Sequence, residues 1–228
     1  MTRLGRLSIA VFAAGCMQAP PPNTVGVPEP INTVEEEIAS DRAADSLLID
    51  VRAVEPGIAV EMRYATANNF TGAPLPGYHA NRAELRREAA AALARVQRSV
   101  RDRGLGLKVF DAYRPARATK AMVDWTERAN RADLLRDGYI ASRSRHNLGV
   151  AVDLTLIELA TERELDMGTA FDTFSEAAHT ANASGQVAAN RQLLKLAMER
   201  EGFTNYDKEW WHFSFTVPNP LRFDRPIR

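Results

Sequence analysis

The chain of 228 residues has little of several features that define large protein classes. Its single cysteine excludes an intramolecular disulfide framework and a cysteine-rich zinc finger. It has no apolar run of about 18 residues or more, so the sequence predicts no ordinary membrane-spanning helix. Basic and acidic residues number 29 each, which argues against a nucleic-acid-binding protein with its usual basic excess. No internal repeat is visible. The composition favours a globular enzyme or binding domain.

The first residues are typical of an export signal. Arg3 and Arg6 precede an apolar stretch at 7–14, which is too short to span a bilayer and fits a signal peptide. The residues at 13–16 resemble a bacterial lipoprotein box, in which Cys16 is the lipidated residue, although position 13 of the box is usually leucine. We predict a signal peptide with this box at 1–16. An ordinary secretory signal and a misassigned start are the alternatives.

A proline-rich stretch follows at 19–30. Proline has no backbone N–H to donate and biases the chain towards extended forms. We therefore predict a flexible tether at 17–44 and a folded domain at 45–228. The expected location is outside the cytoplasm, in the periplasm or cell envelope, with a lipid anchor as the contact with the membrane.

The folded part shows strand and helix patterns in irregular alternation. This order predicts an α+β fold, with an antiparallel or mixed sheet and flanking helices. The first two strands, separated by Pro56 and Gly57, are expected to form a hairpin. The predicted strands are 47–54, 58–64, 105–113, 149–157 and 210–217, and the predicted helices are 82–103, 115–129 and 186–201.

Two histidine motifs suggest a metal site. His146 precedes Asp153 by seven residues, and a carboxylate inside the apolar strand is costly unless it is paired or bound to metal. Both side chains reach one ion only if the chain turns back between them, and 147–149 supplies such a turn. The second motif is Glu209-Trp210-Trp211-His212. Coincidence for the first motif, and core packing for the second, are the alternatives.

These side chains together suit hydrolysis at zinc. Two histidines and one carboxylate leave a fourth zinc position open, and a nearby Glu209 can accept the proton of a water molecule. Glu209 approaches His212 only if it lies at the turn entering the strand, because positions three apart point to opposite faces. Arg114 lies between a predicted strand and a helix, where it could stabilise an oxyanion. A surface or salt-bridging arginine is the alternative.

The motifs also resemble a known family. Ser144-x-His146-x-x-Gly149-x-Ala151-x-Asp153, followed by Glu209-Trp210-Trp211-His212, resembles the zinc D-alanyl-D-alanine peptidases. The chain is most similar to the D-alanyl-D-alanine dipeptidases, whose best-known member belongs to vancomycin resistance. The likeness covers about 47–220 and implies a Hedgehog/DD-peptidase-type fold. Further agreement lies at 62–66, 69–72, 111–115, 166–169, 171–172 and 199–203.

The resemblance implies roles for individual residues. It implies one zinc ion per chain, held by His146, Asp153 and His212, with Glu209 as general base and Arg114 as stabiliser of the transition state.

Three further positions match the family's substrate site. Tyr64 and Ser144 match positions that line the substrate, with a packed core tyrosine and a hydroxyl that holds the histidine loop as the alternatives. Asp172 matches a family acid that we group with the substrate-binding residues. Support of the zinc ligands and helix capping are its alternatives.

The implied activity is cleavage of D-alanyl-D-alanine into two D-alanines. Because the free dipeptide as a precursor lies in the cytoplasm, an exported enzyme would act on dipeptide released from peptidoglycan or on another D-amino-acid peptide. A D,D-carboxypeptidase that trims peptidoglycan stem peptides and a non-catalytic wall-binding lipoprotein are the alternative functions. We expect a small D,D-dipeptide as ligand, no nucleic acid, and no obligate protein partner.

Overall fold

The computed structural model describes Met1 and residues 37–228. Apart from Met1, the predicted signal peptide with Cys16, and the predicted tether as far as residue 36, lie outside the described residues. Residues 37–228 belong to one compact unit. Within the described part, no helix has the length and apolar character needed to cross a bilayer.

Short and long elements alternate along the unit. The strands are β1 Ile38–Ala39, β2 Leu48–Asp50, β3 Ala59–Val60, β4 Glu84–Arg86, β5 Leu105–Asp111, β6 Ala151–Glu158, β7 Thr204–Asn205, β8 His212–Ser214 and β9 Arg222–Phe223. The α-helices are α1 Asp41–Leu47, α2 Val51–Val54, α3 Arg87–Arg101, α4 Ala116–Arg128, α5 Asp133–Arg136 and α6 Gly185–Arg200. Three 3-10 helices span Arg63–Ala65, Arg145–Leu148 and Glu176–Ala178.

A five-stranded sheet carries the core, in the order β3-β5-β6-β8-β7. β3 runs parallel to β5, and the other neighbours are antiparallel. β6 is buried at every position except its last residue, since it lies at the centre of the sheet. On α3 an apolar face of Ala89, Leu93, Val96 and Val100 is buried, as its three-to-four-residue spacing predicts. The predicted α+β class with a mixed sheet is confirmed.

The predicted first hairpin is wrong. β2 pairs antiparallel with β4, whereas β3 pairs parallel with β5. The first strand is also shorter than predicted, because the Asp50 carboxylate accepts a 2.9 Å hydrogen bond from the Arg52 N–H and caps α2. The strand therefore ends before Val51, and 51–54 is helical. The predicted strands 47–54 and 58–64 consequently contribute to two different pairings and not to one hairpin.

The predicted boundary between tether and domain also lies too late. Ile38 and Ala39 pair in parallel with Arg222 and Phe223 near the end of the chain. Ser40 then caps α1, and the fully buried Ala44 packs into the core. Residues 38–44 therefore belong to the fold, because hydrogen bonds to the C-terminal strand and a capped helix fix them.

Candidate active site

A turn and a strand pair bring His146, Asp153 and His212 together. The Ser144 hydroxyl accepts a hydrogen bond from the His146 N–H and caps the 3-10 helix Arg145–Leu148. Gly149, with a φ of 66°, then adopts the left-handed conformation that reverses the chain into β6. Asp153 on β6 lies directly opposite His212 on β8. One potential ligand atom from each of the three side chains lies within 4.8 Å of the others.

The spacing of these atoms fits a small tetrahedral cation. His146 Nε2 lies 3.2 Å from His212 Nδ1 and 3.4 Å from Asp153 Oδ2, and His212 Nδ1 lies 2.9 Å from Asp153 Oδ1. Tetrahedral ligands at zinc distances of about 2.0–2.1 Å are separated from each other by about 3.3 Å. The three side chains can therefore hold zinc with little rearrangement.

The protonation states also suit a metal. His146 Nδ1 lies 2.6 Å from the Ala112 carbonyl oxygen, which only accepts, so Nδ1 carries the proton and Nε2 presents its lone pair to the cluster. Burial lowers the pKa of His212, which favours the neutral imidazole that a metal requires. Burial raises the pKa of Asp153, but the two histidines outweigh it and hold that pKa below its ordinary range.

Glu209 stands beside the cluster at the turn that enters β8. The Glu209 N–H donates to the Tyr206 carbonyl, and the His212 N–H donates to the Glu209 carbonyl at 3.2 Å. The turn leaves the Glu209 carboxylate 3.9 Å from His212 Nδ1. Burial, reinforced by the charges of Asp153 and Asp172, raises the pKa of Glu209 well above its usual value. The group is thus adjacent to the cluster and able to hold a proton.

Arg114 reaches the same space from the end of β5. Its Nε donates to Asp111 Oδ2 at 2.9 Å, and its Nη2 lies 3.8 Å from Asp153 Oδ2. Asp111 is fully buried and also accepts a 2.6 Å hydrogen bond from the Tyr78 hydroxyl. Arg114, whose side chain is 11% exposed, is therefore an oriented cation of the site and not a surface arginine.

Asp111 and Tyr78 are site residues that the sequence reasoning missed. For Asp111 a signal was present, because it is a carboxylate inside the apolar segment 105–113, the same feature that drew attention to Asp153. Asp111 and Asp153 are in fact opposite each other across β5 and β6. Tyr78 lies in a loop where no periodicity marks it.

Tyr64 and Asp172 are hydrogen-bonded to each other and lie next to Arg114. The Tyr64 hydroxyl donates to Asp172 Oδ1 at 2.9 Å, and the Arg114 guanidinium carbon lies 5.1 Å from the Tyr64 ring centroid. Asp172 has a φ of 62°, an unusual conformation for a residue with a side chain. Its Oδ2 is buried without a hydrogen-bond partner among the described residues. Burial raises the pKa of Asp172 to about 8.

The two remaining alternatives for Asp172 and Ser144 can be compared with these contacts. Asp172 does not cap the following 3-10 helix, whose N-cap residue is Ser175, so the capping alternative is wrong. The Ser144 hydroxyl accepts a hydrogen bond from the His146 N–H, as the structural alternative for Ser144 predicts.

The other predicted site residues surround one small space. A cation site, a carboxyl of raised pKa and an oriented guanidinium can together hydrolyse an acyl bond.

Comparison with known proteins identifies similar chains. The model of the D-Ala-D-Ala dipeptidase family matches residues 44–225. The D-alanyl-D-alanine dipeptidase of Enterococcus faecium is 35% identical over 190 residues, covering 75% of this chain and 94% of that protein. The dipeptidase of Streptomyces coelicolor is 37% identical over 188 residues, with coverages of 75% and 93%. That of Escherichia coli is 36% identical over 168 residues, with coverages of 73% and 83%.

Proposed function

This chain belongs to the D-alanyl-D-alanine dipeptidase family, and on that premise we propose that it hydrolyses D-alanyl-D-alanine to two D-alanines at a zinc ion. The family predicted from the motifs is thereby confirmed. The observation that carries the proposed chemistry is the close approach of His146, Asp153 and His212, with Glu209 and Arg114 beside them. Zinc held by these three ligands would supply a Lewis acid that polarises the scissile carbonyl and makes a water molecule acidic near neutral pH.

Glu209 is the proposed general base. Its carboxylate takes a proton from the water while the water oxygen forms a bond to the scissile carbonyl carbon. The bond from that carbon to nitrogen then breaks, and Glu209 returns the proton to the leaving amine. The position of the Glu209 carboxylate beside the cluster supports this role, and burial raises the pKa of Glu209, which makes its ionised carboxylate a stronger base.

Arg114 is the proposed stabiliser of the oxyanion. Asp111 forms an ion pair with its guanidinium, and the guanidinium Nη2 also approaches Asp153, one of the three proposed ligands. A donor fixed before the reaction gains most from the negative charge that develops on the carbonyl oxygen, since no reorganisation is needed.

Asp172 is the proposed acceptor for the free amino group of the dipeptide. Its unpartnered buried Oδ2 offers an acceptor, and an ammonium group there would satisfy it. Tyr64 would bind alongside, since its hydroxyl already orients Asp172. Ser144 would contact the substrate through the second lone pair of the hydroxyl that caps the His146 turn.

The location of the enzyme forms part of the proposal. We propose export by residues 1–16 and lipidation at Cys16, supported by the charged and apolar pattern of that segment. The substrate would then be dipeptide released from peptidoglycan. Cys16→Ala should convert a membrane-associated protein into one that fractionates with the soluble envelope proteins. Absence of labelled fatty acid from the wild-type chain would contradict the anchor.

The decisive experiment separates metal binding from chemistry. Glu209→Gln keeps the shape of the side chain but cannot accept the proton of the water. This variant should retain about one zinc per chain while kcat for D-alanyl-D-alanine falls by about 10²–10⁴-fold. Zinc content and kinetics are measured on the same preparations, with wild-type protein as the control. Loss of zinc from this variant would show that Glu209 is a ligand.

A substrate panel tests the choice of peptide. Wild-type protein is incubated with D-alanyl-D-alanine, with its L-containing isomers and with a peptidoglycan pentapeptide, and the products are identified. Only the first should be cleaved rapidly. Preferential cleavage of the pentapeptide would favour the D,D-carboxypeptidase alternative.

A further inference from the structure

Among the described residues, one buried arginine outside the proposed catalytic residues makes its hydrogen bonds to backbone carbonyls. Arg191 on α6 is 2% exposed. Its Nε donates to the Met167 carbonyl at 2.8 Å, its Nη2 to the Ala177 carbonyl at 3.0 Å, and its Nη1 to the His179 carbonyl at 2.7 Å. A longer bond of 3.4 Å reaches the Asn182 carbonyl. A buried cation held by neutral carbonyls is costly, so these hydrogen bonds are what retain it.

The first three of these carbonyls lie at the two ends of one segment, 167–179, which we call the substrate loop. Close packing fixes its beginning as well. Gly168 has a φ of 79°, and a Cβ there would lie 2.7 Å from a methyl group of Val187 on α6. The Asn190 side chain donates to the Asp166 carbonyl at 2.8 Å, just before the loop. Arg191 thus joins both ends of the substrate loop to one rigid helix.

Hydrogen bonds also connect the substrate loop to residues in and next to the proposed active site. Asp172 lies in its middle and accepts the hydrogen bond from Tyr64. Thr169 accepts from the Trp210 indole N–H at 2.8 Å, and the Trp210 backbone N–H donates to the Ala178 carbonyl at 3.1 Å. Trp210 directly follows Glu209 in the chain. A displacement of the loop ends would therefore move Asp172 relative to the rest of the site.

We infer that Arg191 is a positioning residue for substrate binding, which fixes the substrate loop so that Asp172 meets the amino group of the dipeptide. The inference rests on the proposed function of Asp172. A planar guanidinium with five N–H donors can reach carbonyls on opposite sides, whereas a lysine ammonium offers three donors on a single atom. Lysine at this position would preserve the charge and lose the connection between the loop ends.

The test compares Arg191→Lys with Arg200→Lys, the same change at an exposed arginine of the same helix. For Arg191→Lys, KM for D-alanyl-D-alanine should rise by about tenfold or more, because a displaced Asp172 loses its charge-assisted hydrogen bond to the substrate amino group. Its kcat should change by less than about threefold, and zinc should stay at about one per chain. Chymotrypsin should cut after Phe171 or Phe174 faster than in wild type. Arg200→Lys should match wild type throughout.

A second pair of variants separates this inference from the function on which it rests. Asp172→Asn should raise KM by itself, and adding Arg191→Lys to it should raise KM little further, since both changes affect one contact. An unchanged KM for Asp172→Asn would refute the proposed substrate contact and the inference with it. A raised KM for Asp172→Asn with an unchanged KM for Arg191→Lys would refute the inference alone. Loss of zinc and of kcat in Arg191→Lys would also overturn it, by showing a general structural role.

Discussion

Replacing Arg114 by alanine should damage the catalytic rate and the stability of the protein together. The guanidinium Nε donates to Asp111 Oδ2 at 2.9 Å, and its Nη2 forms an ion pair with the same oxygen at 2.8 Å. The Asp111 side chain is fully buried, and its other partners are the Tyr78 hydroxyl and, at 3.4 Å, His146 Nδ1. Removal of Arg114 therefore leaves a carboxylate in the core without its main compensating charge.

The expected magnitudes follow from the ion pair of Arg114 with Asp111 and from its proposed role as oxyanion donor. Removing one member of a buried ion pair costs about 3–5 kcal/mol, mainly through the charge that remains. Losing one oxyanion donor costs about 10²–10³-fold in kcat. Arg114→Lys should restore part of the stability, because an ammonium can still neutralise Asp111, but little of the rate, because it lacks the planar fork. The double variant Arg114→Ala/Asp111→Asn should likewise regain stability without regaining rate.

The measurements are urea unfolding at neutral pH with excess zinc, zinc content, and kcat for D-alanyl-D-alanine. All variants should retain about one zinc per chain, since neither residue is a proposed ligand. A near-normal kcat for Arg114→Ala would remove Arg114 from the mechanism. A stability loss below about 1 kcal/mol in that variant would show that the pair with Asp111 behaves as an exposed salt bridge does.

Two further predictions concern the metal and the pH dependence of stability. His212→Ala should lose zinc and activity, as should wild-type protein treated with a chelator, and full activity of the variant without added metal would contradict the three-ligand site. In the metal-free protein, the Asp172 carboxyl stays neutral up to about pH 8 in the folded state, although it ionises near pH 4 in the unfolded chain. Wild-type stability should therefore fall between those pH values by at most about 1.4 kcal/mol per unit, relative to Asp172→Asn. A stability difference that stays constant across this range in urea unfolding would refute the raised pKa.

The long amphipathic elements and the proposed zinc ligands were predictable because their signals are local. α3 shows its buried face at helical spacing, and the Asp153 carboxylate stands out in an apolar strand. The turn at Gly149 could be inferred because His146 and Asp153 are too far apart on a straight strand. In each case the physical requirement lies within a few residues of the chain.

The features that were missed depend on distant partners. β2 and β3 have strand-like composition, but only their separate partners, β4 and β5, decide that they do not pair with each other. The same is true of β1, whose partner is almost at the other end of the chain. Arg191 gives no sequence signal at all, because backbone carbonyls hold it and every residue type carries one.

The electrostatics of the site provide an argument for a divalent cation that is independent of the motifs. Asp111, Asp153, Asp172 and Glu209 surround one cationic side chain, Arg114. Burial raises the pKa values of Asp111, Asp172 and Glu209, which means that their ionised forms are poorly compensated. Two positive charges at the cluster would lower these pKa values and stabilise the folded state, because ligand binding to the native state alone adds to its stability. A cation at the proposed site would thus also keep Glu209 close to the ionised form that the proposed general base requires.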